Sequence, residues 1–354
     1  MDLPYSSIPP PRLHRVDRGF VPKHCPKPTC PSRRGAVFTC QRKGSYVRSV
    51  DFRLVQRFLC LACRSTFSSQ TFRVDYRLQK PWLPLSVFQA LVAKTTIRQT
   101  ARSLGCKPDT VLHHLRLVGL HGRWIHRAFL ARHKATGPGL SGTFQLDELE
   151  TFETDRRLMP LTVPILVHRK TWFVVHAATG TLPARGNLRP FDEMRKERYE
   201  KRHGRRVSRS KEATTACVNA LRVHLDPNAP FDIQTDQKKT YPSIFRAVFG
   251  RSTRHQWIHS KARRDRANLL FTINNCMAQA RDNMSRLVRR NWGHSKLERN
   301  LRWHLWAWML YRNYVRERSH FHRHSSSAQA AGVAARRVRA RDILEWRGTI
   351  PRAA

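Results

Sequence analysis

Carboxylates are scarce in this chain: 24 Asp and Glu stand against 67 Lys and Arg in 354 residues, a formal net charge of +43. That imbalance leaves strong long-range self-repulsion unless a polyanion neutralises it. Solubility alone does not call for so large a charge. Long apolar runs are missing too. No stretch of about 18 apolar residues occurs, so no membrane span is expected. The opening "MDLPYSSIPPPRLHR" lacks the apolar core of a secretory signal, which predicts a cytoplasmic location. Cysteines number only eight, and in a reducing compartment metal ligation outranks disulfides.

What is present is enough apolar material for a folded core, with 9 Trp and 17 Phe, so a disordered basic tail is excluded. The bases run from Arg12 to Arg352 instead of gathering at one end. That spread fits an extended nucleic-acid footprint better than a local membrane patch.

Four cysteines come in pairs, "CPKPTC" (Cys25, Cys30) and "CLAC" (Cys60, Cys63), with 29 residues between the pairs. Paired thiolates on two tight knuckles can close a tetrahedral Zn(II) site, and a module too small for its own core needs one. "VQRFLCLACRSTFSSQTF" reads as strand, knuckle, strand, the pattern of a zinc ribbon. The first knuckle departs by having four intervening residues, and Arg64 stands where a Gly often follows the second pair. Four thiolates leave no open position, so the expected zinc is structural. The alternative is a set of ordinary buried thiols, which is the expectation for the isolated Cys40, Cys106, Cys217 and Cys276.

"TTIRQTARSLGCKPDTVLHHLRLVGLHGR" (95–123) carries Ile97, Ala101 and Leu104 at helical spacing. Gly105 breaks that helix, Pro108 suits the next first turn, and Val111, Leu112 and Leu115 resume the stripe. This is the pattern of a helix-turn-helix, with Asp109, Thr110, His113, His114 and Arg116 available to a major groove. A helical hairpin in a core would look the same.

Beyond a connector, "TFQLDELETFE" (143–153) gathers four carboxylates in a strand-prone segment, followed by "LTVPILVHRKTWFVVHAATG". A helix is expected from Lys211 to His224, then a strand ending at Asp236 and a helix after Tyr241. The order predicts a mixed sheet flanked by helices. Side chains alternate faces along a strand, so Asp147 shares its face with Gln145 and Leu149, whereas Glu148 and Glu150 belong to the other. Glu148, Glu150 and Glu153 are expected to meet Arg side chains.

The stretches "LDELETF", "TDQKKTYP" and "RDNMSRLVRRNW", with the cysteine pairs, resemble bacterial insertion-sequence transposases of the DDE type. Such proteins carry an N-terminal zinc ribbon, a helix-turn-helix and an RNase H-like catalytic core. The resemblance runs from about residue 20 to 318, and weakly into "ARDILEWR". It implies that Asp147 and Asp236 bind Mg(II) or Mn(II), with Asp236 as a turn residue the alternative. It also implies that Lys238 and Arg281 contact DNA. The implied partners are double-stranded DNA, as element ends and target, and further copies of the chain on that DNA, in a nucleoid-associated bacterial setting without membrane contact.

The family usually takes a third ligand, a Glu, from a helix with a basic residue seven positions later. Here those positions are Asn274 and Arg281, which align because seven residues leave about 20° of net rotation. Ile273, Met277, Ala280, Met284 and Leu287 form the neighbouring apolar stripe. Asp282 is about 80° off the Asn274–Arg281 line. An amide oxygen can bind Mg(II) without bringing charge. A working Asp-Asp-Asn triad, a decayed copy and a helix-capping Asn all remain open.

The expected organisation is multi-domain α/β. It comprises an arm (1–24), a zinc ribbon (25–80), a helix-turn-helix (81–130) and a connector (131–141). An RNase H-like domain (142–318, with a basic insertion at 180–211) and a basic tail (319–354) follow. "NLRWHLWAWMLYRNYVRER" is expected to be a core or oligomer helix, and "SHFHRH" to be solvated. The rival functions are a catalytically dead, transposase-derived repressor and an RNase H-like nuclease that cuts without joining.

Overall fold

The computed structural model describes residues 20–250, 253–259, 263, 265, 267–288 and 292–347, so most of the expected arm lies outside the described residues. The chain is mixed α/β, with two separate sheets.

The N-terminal sheet is antiparallel, in the order β1 (Cys40–Arg48), β2 (Arg53–Cys60), β3 (Thr66–Ser68). It is too small for an aliphatic core and instead packs aromatic rings. Phe58 stacks on Phe67 at 5.6 Å, and Phe20 meets Phe72 at 5.4 Å. Beside it, Arg48 and Arg73 converge on buried Asp75 at 3.0 and 2.8 Å. Burial opposes ionisation of Asp75, but the neighbouring guanidinium groups outweigh it and hold the carboxyl below its ordinary range.

Three helices follow: α1 (Leu83–Val92), α2 (Ile97–Ser103) and α3 (Pro108–Thr136). Thr96 caps α2 in a reciprocal box with Gln99. Gly105, at φ +57°, turns the chain into α3. The expected pair of helices is there, but α3 runs through 131–136, a stretch expected to be connector. Gly119 and Gly122 look like helix-weakening residues, yet they serve a close crossing with α8 (Glu298–Leu310). A Cβ on Gly119 would stand 2.5 Å from the Trp303 carbonyl oxygen, and one on Gly122 would stand 2.8 Å from that of Trp306. Gly119→Ala is therefore expected to force the helices apart, at a cost of about 1–3 kcal/mol, and to lower the melting temperature by several degrees. Leu120→Ala, one residue on and exposed, should change it little. Equal melting of the two variants would show that the crossing tolerates a methyl group.

The main sheet runs β6 (Val174–Ala177), β5 (Pro160–His168), β4 (Gly142–Phe152), β8 (Phe231–Thr235), β9 (Arg254–Trp257), with β7 (Gly180–Thr181) also pairing β5. β5 is antiparallel to β4 and β6, whereas β8 is parallel to both β4 and β9. α5 (Ser210–His224) and α6 (Tyr241–Phe249) pack on one face with Phe144 and Leu146. α7 (Phe271–Asn283) and much of α8 pack on the other with Leu149, Val163 and Ile165. The first of these cores continues without a break into α1, α2 and α3.

Two further expectations need correcting. The stripe on α7 is buried, but the helix ends at Asn283, and Met284 to Leu287 continue as an extended residue and a 3-10 turn. The segment after 319 is not a free tail. His320 to Arg323 are exposed as expected, but α9 (Ser327–Ala330) packs on residues 311–315, and α10 (Ala340–Glu345) packs on α1 and reaches α3 through His121. Ala328, Val333, Ile343 and Leu344 are buried, and Trp346 packs 4.9 Å from Trp124. A few well-spaced apolar residues outweigh the basic background. The basic insertion holds α4 (Pro190–His203), in which only Asp192 is buried. Among the described residues no helix is long and apolar enough to cross a membrane.

Candidate functional site

The Sγ atoms of Cys25, Cys30, Cys60 and Cys63 lie within 4.8 Å of one another. Cys25–Cys63 and Cys30–Cys60 are each 3.7 Å apart. That is far beyond a disulfide bond and close to the edge, about 3.8 Å, of a tetrahedron with 2.3 Å metal–sulfur bonds. The four thiols fit a metal ion such as zinc, with no position left for substrate. Hydrogen bonds from Ser65 pull the Cys63 thiol down to about 6, whereas burial pushes Cys25 and Cys60 up. Cys40 pairs with Cys60 across the ladder but stays outside the cluster, and Cys217 and Cys276 are fully buried small core residues.

Arg64, which stands where a Gly is common, adopts φ +58°. A side chain in this left-handed region costs roughly 1–2 kcal/mol, which Gly avoids. Arg64→Gly is expected to raise the melting temperature of the zinc-loaded protein. A decrease would mean that the Arg64 side chain supplies more than the strain removes.

The carboxylates are positioned by β4 and β8. Their parallel ladder ends at the pair Gln145–Gln234, whose side chains hydrogen-bond at 2.9 Å. Two residues further along each strand stand Asp147 and Asp236, both half-buried. β8 stops at Thr235 while β4 continues, so the two acids stand at the carboxyl end of β8, where crevices form in open sheets. Asp147 Oδ1 accepts from the Glu148 backbone N–H at 2.7 Å, and Asp236 Oδ1 accepts from that of Lys238 at 3.2 Å.

Gln145 also fixes α7. Its Oε1 accepts from the Ile273 N–H at 2.9 Å, and its Nε2 donates to the Leu269 carbonyl. Asn274 therefore begins the second turn of a helix tied directly to the strand that carries Asp147. Leu270 occupies the capping position of α7, so Asn274 is not a cap. Asn274 and Arg281 are half-buried, beside the buried stripe of Ile273, Met277 and Ala280.

Folding brings no third acid to this pair among the described residues. There, the four cysteines are the only group of three or more His, Cys, Asp or Glu side chains close enough to share an ion. Asp282 is exposed and pairs with Lys94 at 3.6 Å. Glu298 holds Thr179 and Arg302, and Glu153 holds Arg206 and the Glu298 N–H. Glu150 pairs with Arg185. The expectation of Arg partners thus holds for Glu150 and Glu153.

Glu148 differs. It lies on the opposite face, where its carboxylate accepts from Thr162 at 2.5 Å, Ser210 at 2.9 Å, Thr214 at 3.1 Å and the Lys238 ammonium. Burial opposes ionisation, but these donors outweigh it and keep the carboxyl below its ordinary range. Tyr241 is buried nearby. Burial raises its pKa first, and the charges of Glu148, Asp147 and Asp236 add to the rise. Sequence reasoning missed the grouping around Glu148 because Ser210, Thr214 and Lys238 come from separate segments.

The expected DNA-contacting residues divide. His113 and Arg116 are exposed on α3, Arg116 lies 6.0 Å from the Trp303 ring, and Thr110 is half-buried. His114 corrects the expectation. It is 3% exposed because it falls in helical phase with Val111, Leu115 and Val118, and burial lowers its pKa to about 4. Lys238 is drawn onto Glu148, leaving its side chain one-third exposed.

No family model, curated protein or solved structure matches this chain. Its function rests on the site.

Proposed function

We propose that the chain is a DDE-type DNA transposase with an Asp-Asp-Asn site, acting on the ends of its own mobile element. The observation that carries this reading is the register of the β4–β8 ladder, which brings Asp147 level with Asp236 beside the helix bearing Asn274. The sheet order supports an RNase H-like core, with antiparallel strands on one side of β4 and parallel strands on the other. Asp147 and Asp236 would hold Mg(II) or Mn(II), with the Asn274 amide oxygen as a neutral third ligand. When bound, the metal would supply Lewis-acid chemistry suited to activating a water or 3′-hydroxyl and stabilising a leaving oxygen. The Gln145 side chain holds strand and helix in register, and Lys238 keeps the charge of Glu148 away from that face.

The N-terminal module supplies recognition. The four-cysteine cluster holds structural zinc, and α2 with α3 acts as a helix-turn-helix presenting His113 and Arg116 to DNA. Net charge of +43 supports a DNA partner contacted over much of the surface.

The decisive experiment incubates the purified chain with duplexes carrying the terminal repeats that flank its gene, in Mg(II) and with a target plasmid. Cleavage at the repeat boundary followed by joining is expected. Cutting without joining would identify a nuclease. Metal-independent end binding with no cutting would identify a repressor, the reading favoured by the lack of a third acid among the described residues.

A further inference from the structure

Away from the paired aspartates, a cavity of about 720 Å³ is lined by α2, by Leu91, Pro108 and Leu112, and by residues between 285–286 and 292–304. Arg98 and Arg102 of α2 form one rim, His294, Lys296 and Trp292 form the other, and Arg286 contributes to the lining. Among the described residues no carboxylate lines it. Arg286 is 4% exposed, its Nε has no hydrogen-bond partner there, and one terminal nitrogen reaches Ser295 Oγ at a long 3.4 Å. Burial lowers the guanidinium pKa to about 10, which leaves it charged at neutral pH. A buried cation without a counter-charge is strongly unfavourable, so its place in a basic cavity calls for an anion.

We propose that this cleft binds a phosphate group, supplied by the phosphodiester backbone of DNA. Arg286 would neutralise one phosphate from below, while Arg102 and Lys296 grip from the two rims. Trp292, 97% exposed at the edge, offers a stacking surface that inorganic phosphate would not use. The location suits the same DNA that enters the aspartate site. The Thr151 hydroxyl donates to the Arg286 carbonyl at 3.1 Å, and Thr151 lies four residues beyond Asp147 on the same face of β4. That separation is about 13 Å along the strand, or roughly four base pairs of axial rise. The choice of DNA as the source rests on the proposed function; the phosphate chemistry does not.

The test uses the full-length, zinc-loaded protein with two probes, a duplex of random sequence and inorganic phosphate. Compared with wild type, the exposed rim pair R102A/K296A is expected to bind duplex at least tenfold more weakly at 0.1 M salt. Its slope of log affinity against log salt should be shallower by about 0.9 for each phosphate no longer neutralised. Arg286→Met should also weaken duplex binding, and inorganic phosphate should raise the melting temperature of wild type but not of this variant. If wild type binds duplex and the rim pair binds with unchanged affinity and slope, the cleft is overturned and the DNA reading stands. If wild type ignores duplex but phosphate stabilises it through Arg286, the cleft stands and DNA is overturned as its source. If neither probe distinguishes the variants from wild type, the proposal fails whole. The rim pair decides the question should Arg286→Met not fold.

Discussion

Asp147→Asn and Asp236→Asn are each expected to lower Mg-dependent strand cleavage by roughly 10²–10³-fold or more, with end binding retained. Each removes a negative ligand charge from the pair that would hold the metal, and with it the Lewis acid that would stabilise the charge developing on the reacting phosphate. Neither substitution should empty a core, because both residues are only half-buried. The measurement is cleavage of a labelled end duplex, paired with a binding assay on the same preparation. Full cleavage by either variant would remove the aspartates from the mechanism. Asn274 gives the sharper comparison. Asn274→Ala should lose most cleavage, whereas Asp282→Asn should keep it, since Asp282 is engaged by Lys94. Asn274→Glu adds the missing charge and should lower the Mg(II) concentration needed. An essential Asp282 with a dispensable Asn274 would place the metal elsewhere. An inert wild type rescued by Asn274→Glu would identify a decayed element.

Removing zinc should have the other large effect. Four-thiolate zinc sites contribute apparent binding free energies of about 10–16 kcal/mol, comparable to the whole stability of an ordinary domain. The three-stranded sheet has only a small aromatic cluster beneath it, so it should not survive without the ion. Cys60→Ser is expected to reduce bound metal from one zinc per chain to near none and to abolish specific end binding. The helical signal of α3 and α8 should largely persist. A Cys60→Ser protein with full zinc content would rule out this ligand set.

Much of this molecule is legible in its sequence where one physical rule acts alone. Cysteine spacing marks the four-thiol cluster because paired knuckles bring four sulfurs close enough to share one ion. Strict alternation along β4 separates Asp147 from Glu148, and helical phase sets Asn274 beside its apolar neighbours. What escapes is set by long-range packing. Gly119 and Gly122 look locally like weak points, and only the backbone of α8 explains them. The C-terminal segment resembles a tail because its charge hides the few apolar side chains that dock it on α3. His114 looks like a groove-facing residue by its neighbours in sequence, whereas the phase of the helix buries it. The exposed basic rim around buried Arg286, with no carboxylate beside it among the described residues, cannot be found from sequence, because it is a property of the folded neighbourhood.

The tight crossing of α3 and α8 also bears on how much the two halves can move. The helices α1 to α3 and the sheet share one unbroken core, so the molecule offers no evident swivel between them. In the proposed function, compliance must then come from the DNA. Bending a site by 40–90° costs of order 1–6 kcal/mol, depending on its sequence. In the proposed transposase, stiffness of the base pairs between recognised sequence and broken bond would therefore act as a second filter on which ends are cut, at positions that no side chain touches.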